Sequence, residues 1–208
     1  MKLHWSPRSP FVRKVMIAAH EMGLDSRFDK IRSVAMSTQP HVELMKDNPL
    51  SKIPAMVLDD GTPMFDSRVI CEYLDTLHGG HTLFPASGPE RFTALRRQAL
   101  GDGMLDLLIL WRGEREREHP SQVMIASFTA RKDASLAVLE READAIAASP
   151  FSIGHIAVGC ALGYLDFRFA MHPWREDHPK IAAWHATFNA RPSVKANAVV
   201  DDSQTVKQ

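Results

Sequence analysis

A chain of 208 residues, 45% apolar and 24% charged, has the makeup of an ordinary globular protein with room for one large domain or two small ones. Lys plus Arg and Asp plus Glu number 25 each, so there is no basic field of the kind that nucleic acid or an anionic membrane surface requires. The opening MKLHWSPRSP lacks the apolar core of a signal peptide, and no window nears the roughly 18 apolar residues of a membrane span. With only two cysteines, Cys71 and Cys160, the expectation is a reduced, cytoplasmic protein.

In chain order, Lys2 to Trp5 reads as a short strand and Phe11 to Met22 as a helix. Val12, Val15, Met16 and Ala19 recur at helical spacing there, and Gly23 serves as the stop. Ser26 to Ile31 alternates weakly, as a second strand, and Pro40 to Lys46 suits a short helix or turn. Ala55 to Leu58 runs into Asp60-Gly61, a hairpin signal, with Pro63 to Phe65 as its partner. Ser67 to Leu77 returns to helix, with Val69, Ile70, Tyr73, Leu74 and Leu77 on one face. The order β-α-β, loop, β-β-α fits a mixed sheet ending in a hairpin, the thioredoxin-like arrangement, over residues 1–78.

Gly79, Gly80, Pro85, Gly88 and Pro89 mark a linker over 79–89. Residues 90–208 read as an all-α domain, with helices at Glu90–Glu118, Ser121–Ala148, Ser152–Met171 and Pro179–Ala190. The run Ile156 to Leu165 is apolar enough to be buried on all sides. Cys71 and Cys160 fall on apolar helical segments and read as buried structural thiols. Of the 10 histidines, His78 and His81 lie in the Gly-rich turn with no Cys or carboxylate nearby, so no metal site is expected.

Three segments can carry chemistry. Ser6-Pro7-Arg8-Ser9-Pro10-Phe11 joins the first strand to the first helix, with Ser9 suited to the N-cap and Pro10 to the first helical position. Taken alone, that is ordinary capping chemistry. A helix N-terminus also attracts an anion such as a thiolate, to which a serine hydroxyl can donate. Asn48-Pro49-Leu50-Ser51-Lys52-Ile53-Pro54 places a proline, a candidate cis residue, directly before a strand. It is either a plain strand entry or a place where Ile53 offers backbone groups to a peptide-like ligand beside the Lys52 cation. In Phe65-Asp66-Ser67-Arg68, Asp66 or Ser67 caps the next helix, or the two hold a ligand's ammonium and carboxylate.

In this order and spacing, Ser-Pro-Phe, Ile-Pro and Asp-Ser resemble the glutathione transferase superfamily, closest to its serine-type members such as the plant tau class and related small bacterial proteins. Ser152-Ile-Gly-His155 looks like the family's internal capping box, and Pro179-Lys-Ile-Ala-Ala-Trp184 with Arg191-Pro192-Ser193 resembles its last helix and ending. The resemblance implies an α/β thioredoxin-like domain plus an all-α helical bundle. It also implies a transferase that uses glutathione as co-substrate against small hydrophobic electrophiles or peroxides, in detoxification.

By that resemblance Ser9 stabilises the glutathione thiolate. Ile53 and Pro54 face the cysteinyl part, Asp66 and Ser67 the γ-glutamyl end, Lys52 the glycine carboxylate, and Phe11 lines the site. Ser6 ranks below Ser9. The electrophile is expected between the domains, against Met104, Trp111 and Arg112 of the first long helix, although apolar residues there equally suit interface core. Homodimer pairing is also implied. Two departures stand out: His155 replaces the usual acid of the capping box, which predicts a weakened or lost return bond, and position 9 is not the cysteine of omega-like members. The alternative function is a catalytically weak glutathione-binding or scaffold protein of the same fold.

Overall fold

The structure, a computed structural model, describes residues 1–36, 38–77 and 82–203. Two compact units are present: Met1–Ala86 together with the segment from Pro192 onward, and Ser87–Arg191. The C-terminal segment therefore groups with the sheet-bearing unit, where the sequence reading assigns everything after residue 89 to the helical one. The first long helix starts at Gly88, inside the stretch read as linker. His78 and His81 lie outside the described residues.

The first unit contains β1 (Lys2–Trp5), α1 (Pro10–Glu21), a 3₁₀ turn at Asp25–Arg27, β2 (Asp29–Arg32), α2 (Val42–Asp47), β3 (Ala55–Val57), β4 (Pro63–Met64) and α3 (Ser67–Leu74). The short α8 (Pro192–Ala196) belongs to it as well. Strand order is β2-β1-β3-β4, with β1–β2 parallel and the other two pairings antiparallel. The second strand begins at Asp29, not Ser26. Its register pairs Asp29 with Lys2, where β1 itself begins, and the 3₁₀ turn takes the residues before it.

Leu3 and Met56 line the core with Val15, Ile17, Ile70 and Leu74, all fully buried. Each large aliphatic side chain so buried contributes about 1.5–3 kcal/mol. A polar pin crosses this layer. His4 on β1 lies 2.8 Å from Ser33 Oγ through Nδ1 and 2.8 Å from Asp47 Oδ2 through Nε2. It ties β1 to the end of β2 and to α2. Beyond α3, the buried Asp75 carboxylate accepts from the amides of Thr82, Leu83 and Phe84 at 3.1, 2.9 and 3.2 Å, which fixes the start of the connection.

The second unit is α4 (Gly88–Arg115), α5 (Gln122–Ala148), α6 (Ile153–Arg168) and α7 (Pro179–Ala190). The run from Ile156 to Leu165, expected to be buried on all sides, is buried at every position except half-buried Gly163. Helix α6 approaches its neighbours through glycines. A Cβ on Gly101 would lie 2.7 Å from the Ala157 carbonyl oxygen, and one on Gly154 the same distance from that of Ala94. Cys71 and Cys160 are both buried. Among the described residues no helix is long and apolar enough to cross a membrane.

The capping box of α6 departs from expectation. His155 does return a bond to the N-cap: its Nδ1 accepts from the Ser152 amide at 3.1 Å. An accepting Nδ1 carries no proton, so Nε2 carries it and donates to the Ile146 carbonyl at 2.9 Å. Burial lowers the imidazole pKa from its ordinary value near 6.5, and the nearby Arg97 and Arg191 charges add to this. The neutral ring thus does the work of the usual acid without introducing a charge.

Candidate functional site

The sheet topology brings the three motif segments to one end. Because β1 and β3 are antiparallel and His4 pairs with Ala55, the exit of β1 toward Ser6–Ser9 adjoins the entry of β3 at Ile53-Pro54. Because β4 is antiparallel to β3 with Met64 opposite Met56, the exit of β4 toward Phe65-Asp66-Ser67 reaches the same edge. Neighbouring strands lie about 4.8 Å apart, so the three segments span roughly 10 Å, the scale of a short peptide.

Ser9 is the N-cap of α1. Its backbone is extended (φ −81°, ψ 120°), and Oγ accepts from the Val12 amide at 3.3 Å. That bond uses a lone pair and leaves the hydroxyl proton to donate elsewhere. Pro10 has no N–H and the Val12 amide is engaged, so the Phe11 amide and the dipole remain at this helix end. Ser9 is partly exposed, whereas Ser6 is only 5% exposed, its Oγ accepting from the Arg8 amide at 3.4 Å. The loop thus presents one of its two hydroxyls outward. Phe11 is half-buried, with the Lys14 ammonium 5.8 Å from its ring centre.

The Ile53–Pro54 peptide is cis, the isomer for which the sequence made it a candidate. Pro54 is buried, Ile53 half-buried and Lys52 exposed. Strand pairing begins only at Ala55, which leaves the Ile53 main chain outside the ladder. Sequence reasoning passed over the residue that shapes this turn. Asn48, 2% exposed, donates through Nδ2 to the Lys52 carbonyl at 2.8 Å and accepts at Oδ1 from the Leu50 amide at 3.1 Å. Its signal was present, since Asn before Pro is turn-initiating chemistry.

Asp66 is the N-cap of α3, accepting from the Arg68 amide at 2.9 Å, and its side chain is exposed. Ser67 follows at the first helical position and is 2% exposed. The peptide between Phe65 and Asp66 is also cis.

The electrophile-wall candidates on α4 fare differently. Trp111 is fully buried within the helical unit, its ring 4.9 Å from Phe169, 5.1 Å from His172 and 6.3 Å from Phe128 by centroid. It is core, not wall. Met104 is 3% exposed, and half-buried Arg112 pairs with Glu116 at 2.8 Å along its own helix. Helical spacing groups the three residues, but it does not say which face of a helix with several neighbours they occupy.

A further feature of this end of the sheet had no sequence signal. Asp202, near the C-terminus, sets its carboxylate between Arg8 and Arg32. Arg8 Nε lies 2.9 Å from Oδ1, and Arg32 donates through Nε at 2.8 Å and Nη2 at 3.0 Å. Among the described residues no group of three or more His, Cys, Asp or Glu is arranged to hold a metal ion.

Comparison with known proteins gives two family models in chain order. Residues 8–77 match the glutathione S-transferase N-terminal domain, and residues 125–187 match the C-terminal domain. An uncharacterised GST-like protein of Escherichia coli, YibF, is 31% identical over 185 residues, covering 87% of this chain and 90% of its own. A crystal structure of a glutathione transferase family member from Pseudomonas fluorescens Pf-5 with bound glutathione is 43% identical, with a TM-score of 0.92 over 96% of this chain and 98% of that one. A second crystal structure of a family member from the same organism holds S-(propanoic acid)-glutathione, at 42% identity, a TM-score of 0.87 and the same coverage.

Proposed function

As this chain belongs to the glutathione S-transferase family, we propose that it binds glutathione across the end of the sheet and activates its thiol at Ser9 for attack on a small electrophile. The observation that carries this reading is the meeting of Ser9, Ile53-Pro54 and Asp66-Ser67 at one sheet edge. The solved relatives with glutathione, or glutathione carrying a propanoic acid on sulfur, support the choice of ligand.

A tripeptide laid along this edge meets its needs in order. The exposed Asp66 carboxylate takes the γ-glutamyl ammonium, with the first amides of α3 and Ser67 beside its carboxylate. The Ile53 main chain pairs with the cysteinyl residue, next to buried Pro54, and Lys52 takes the glycine carboxylate. The sulfur then lies toward α1, where Phe11 lines the site and the Ser9 hydroxyl donates to it.

A thiol of pKa about 8.5 is only a few per cent ionised at neutral pH. Each unit of depression corresponds to about 1.4 kcal/mol of preferential thiolate stabilisation. One charge-assisted hydrogen bond and a helix N-terminus supply roughly one to two units. The thiolate pair then forms a bond to an electrophilic carbon, as a leaving group departs or a C=C pair shifts and takes up a solvent proton. With a peroxide it bonds to oxygen instead, as the O–O bond breaks and the departing oxygen is protonated to an alcohol or water. Half-buried Arg112 remains our candidate for contact with the electrophile, whereas Met104 is buried, as Trp111 is. Family membership also supports homodimer pairing, a cytoplasmic setting and a role in detoxification; light scattering of the purified protein tests the first.

The test is calorimetric titration of glutathione into wild type and Asp66→Asn. Wild type binds in the micromolar to low millimolar range, and the variant binds about tenfold more weakly for loss of the ammonium partner. Equal affinity in the two would remove Asp66 from the site. No binding at millimolar glutathione would contradict the whole reading.

A further inference from the structure

Among the described residues, the most conspicuous polar cluster that the proposed glutathione site does not use is the Arg8–Asp202–Arg32 group. Arg8 immediately precedes Ser9, and Arg32 ends β2, opposite Trp5 at the end of β1. Their side chains are 24% and 25% exposed, and the Asp202 carboxylate between them is 16% exposed despite lying near the chain end. The segment that delivers it follows the same loop. Arg13 Nε donates to the Asn197 carbonyl at 2.9 Å, and the Val200 amide to that of Pro7 at 3.4 Å. Arg32 is itself oriented by a 2.8 Å bond from Nη1 to the Ser33 carbonyl, so its remaining nitrogens face Asp202 in a fixed fork.

We propose that Arg8 and Arg32 form the carboxylate-recognition subsite for the second substrate, that this substrate is a carboxylate-bearing electrophile, and that Asp202 occupies the subsite in its absence. The proposal rests on the glutathione reading above. Strand order supplies the direction. With the γ-glutamyl end at β4, the cysteinyl part at β3 and the sulfur at the exit of β1, the next strand in the row is β2, which ends at Arg32. The cradle thus lies beyond the sulfur, about one strand spacing of 4.8 Å from β1. A carboxyl group two or three bonds from the reacting carbon spans that gap. The geometry already accommodates a carboxylate, because it holds one from the chain itself.

The chemistry closes for an α,β-unsaturated carboxylic acid. The thiolate forms a C–S bond at the β-carbon, the C=C pair moves to the α-carbon, and a solvent proton ends there. No leaving group or oxidant takes part. Negative charge that spreads onto the carboxylate during the step falls between two guanidiniums.

The test compares two ligands that differ by one group, S-(2-carboxyethyl)glutathione and its carboxamide, titrated calorimetrically into wild type, Asp202→Asn and Arg32→Met. Glutathione itself is the control in each. The acid adduct should bind wild type about tenfold more tightly than the amide. Asp202→Asn should widen that preference by removing the internal competitor, and Arg32→Met should abolish it, with glutathione affinity unchanged throughout. Equal binding of acid and amide to wild type and Asp202→Asn overturns the subsite, as does a loss shared by all three ligands in Asp202→Asn, which would make the tail only a brace for the loop. If the adducts are indistinguishable while glutathione binds, this proposal alone fails. If glutathione does not bind, the underlying site reading fails with it.

Discussion

Ser9 has two roles that substitution can separate. As the N-cap of α1 it accepts from the Val12 amide, and as the proposed thiolate partner it donates its own proton. Ser9→Ala should lose both, with about 1 kcal/mol of stability gone in denaturant unfolding. Asn is as good an N-cap as Ser. Ser9→Asn should therefore unfold within a few tenths of a kcal/mol of wild type while lacking the hydroxyl. Two variants that differ in stability and agree in thiol activation would separate scaffold from chemistry; equal stability losses would show that the cap geometry does not admit the amide. At the same scale, His155 makes a pH prediction. Its folded pKa lies below the ordinary 6.5, so between the two values the unfolded chain binds a proton that the folded chain does not. Stability is then complete above about pH 6.5 and declines as pH falls through that window. His172, lowered chiefly by burial and more exposed, adds in the same direction with smaller weight. His155→Gln, which keeps a capping side chain but cannot titrate, should flatten the decline between pH 5.5 and 7.5 in urea unfolding. An unchanged slope would place the titration elsewhere.

Among elements, α4 and α6 illustrate how close approach sets what a helix position tolerates. Gly101 and Gly103 are two residues apart on α4. A Cβ on Gly101 would press on the backbone of Ala157, while one on Gly103 would meet nothing within 4 Å. Gly101→Ala should cost about 1–3 kcal/mol from overpacking, since backbone cannot turn aside as a side chain can. Gly103→Ala should be neutral or stabilising by about 0.5–1 kcal/mol through helix propensity. Thermal melts of the two variants check the contrast, and similar shifts would mean that the helices part at Gly101 at little cost. What the sequence showed at this scale was local. Turn and cap chemistry identified Ser9, Pro54 and Asp66, and the hairpin at Asp60-Gly61 followed from the same reasoning, with Gly61 at φ 87°. The short α8 and the Asp202 strap were not legible, because contacts across roughly 170 residues leave no periodic trace. Trp111 was misplaced for a different reason. A helix that buries residues on several faces has no single apolar stripe from which to read a wall.

For the molecule as a whole, legibility followed the same division. Element order was enough for a sheet-bearing unit followed by a helical one. The grouping of the chain end with the first unit emerged only from the folded arrangement. The proposed role of Ser9, a thiol-activating hydroxyl at the edge of a glutathione cradle, is open to direct measurement. The thiolate absorbance of bound glutathione is titrated against pH in wild type, Ser9→Ala and Ser9→Asn. In wild type the bound thiol pKa should lie roughly one to two units below the solution value and revert in both variants. A bound thiol that titrates as it does in solution, or a depression that survives loss of the Ser9 hydroxyl, would contradict that role.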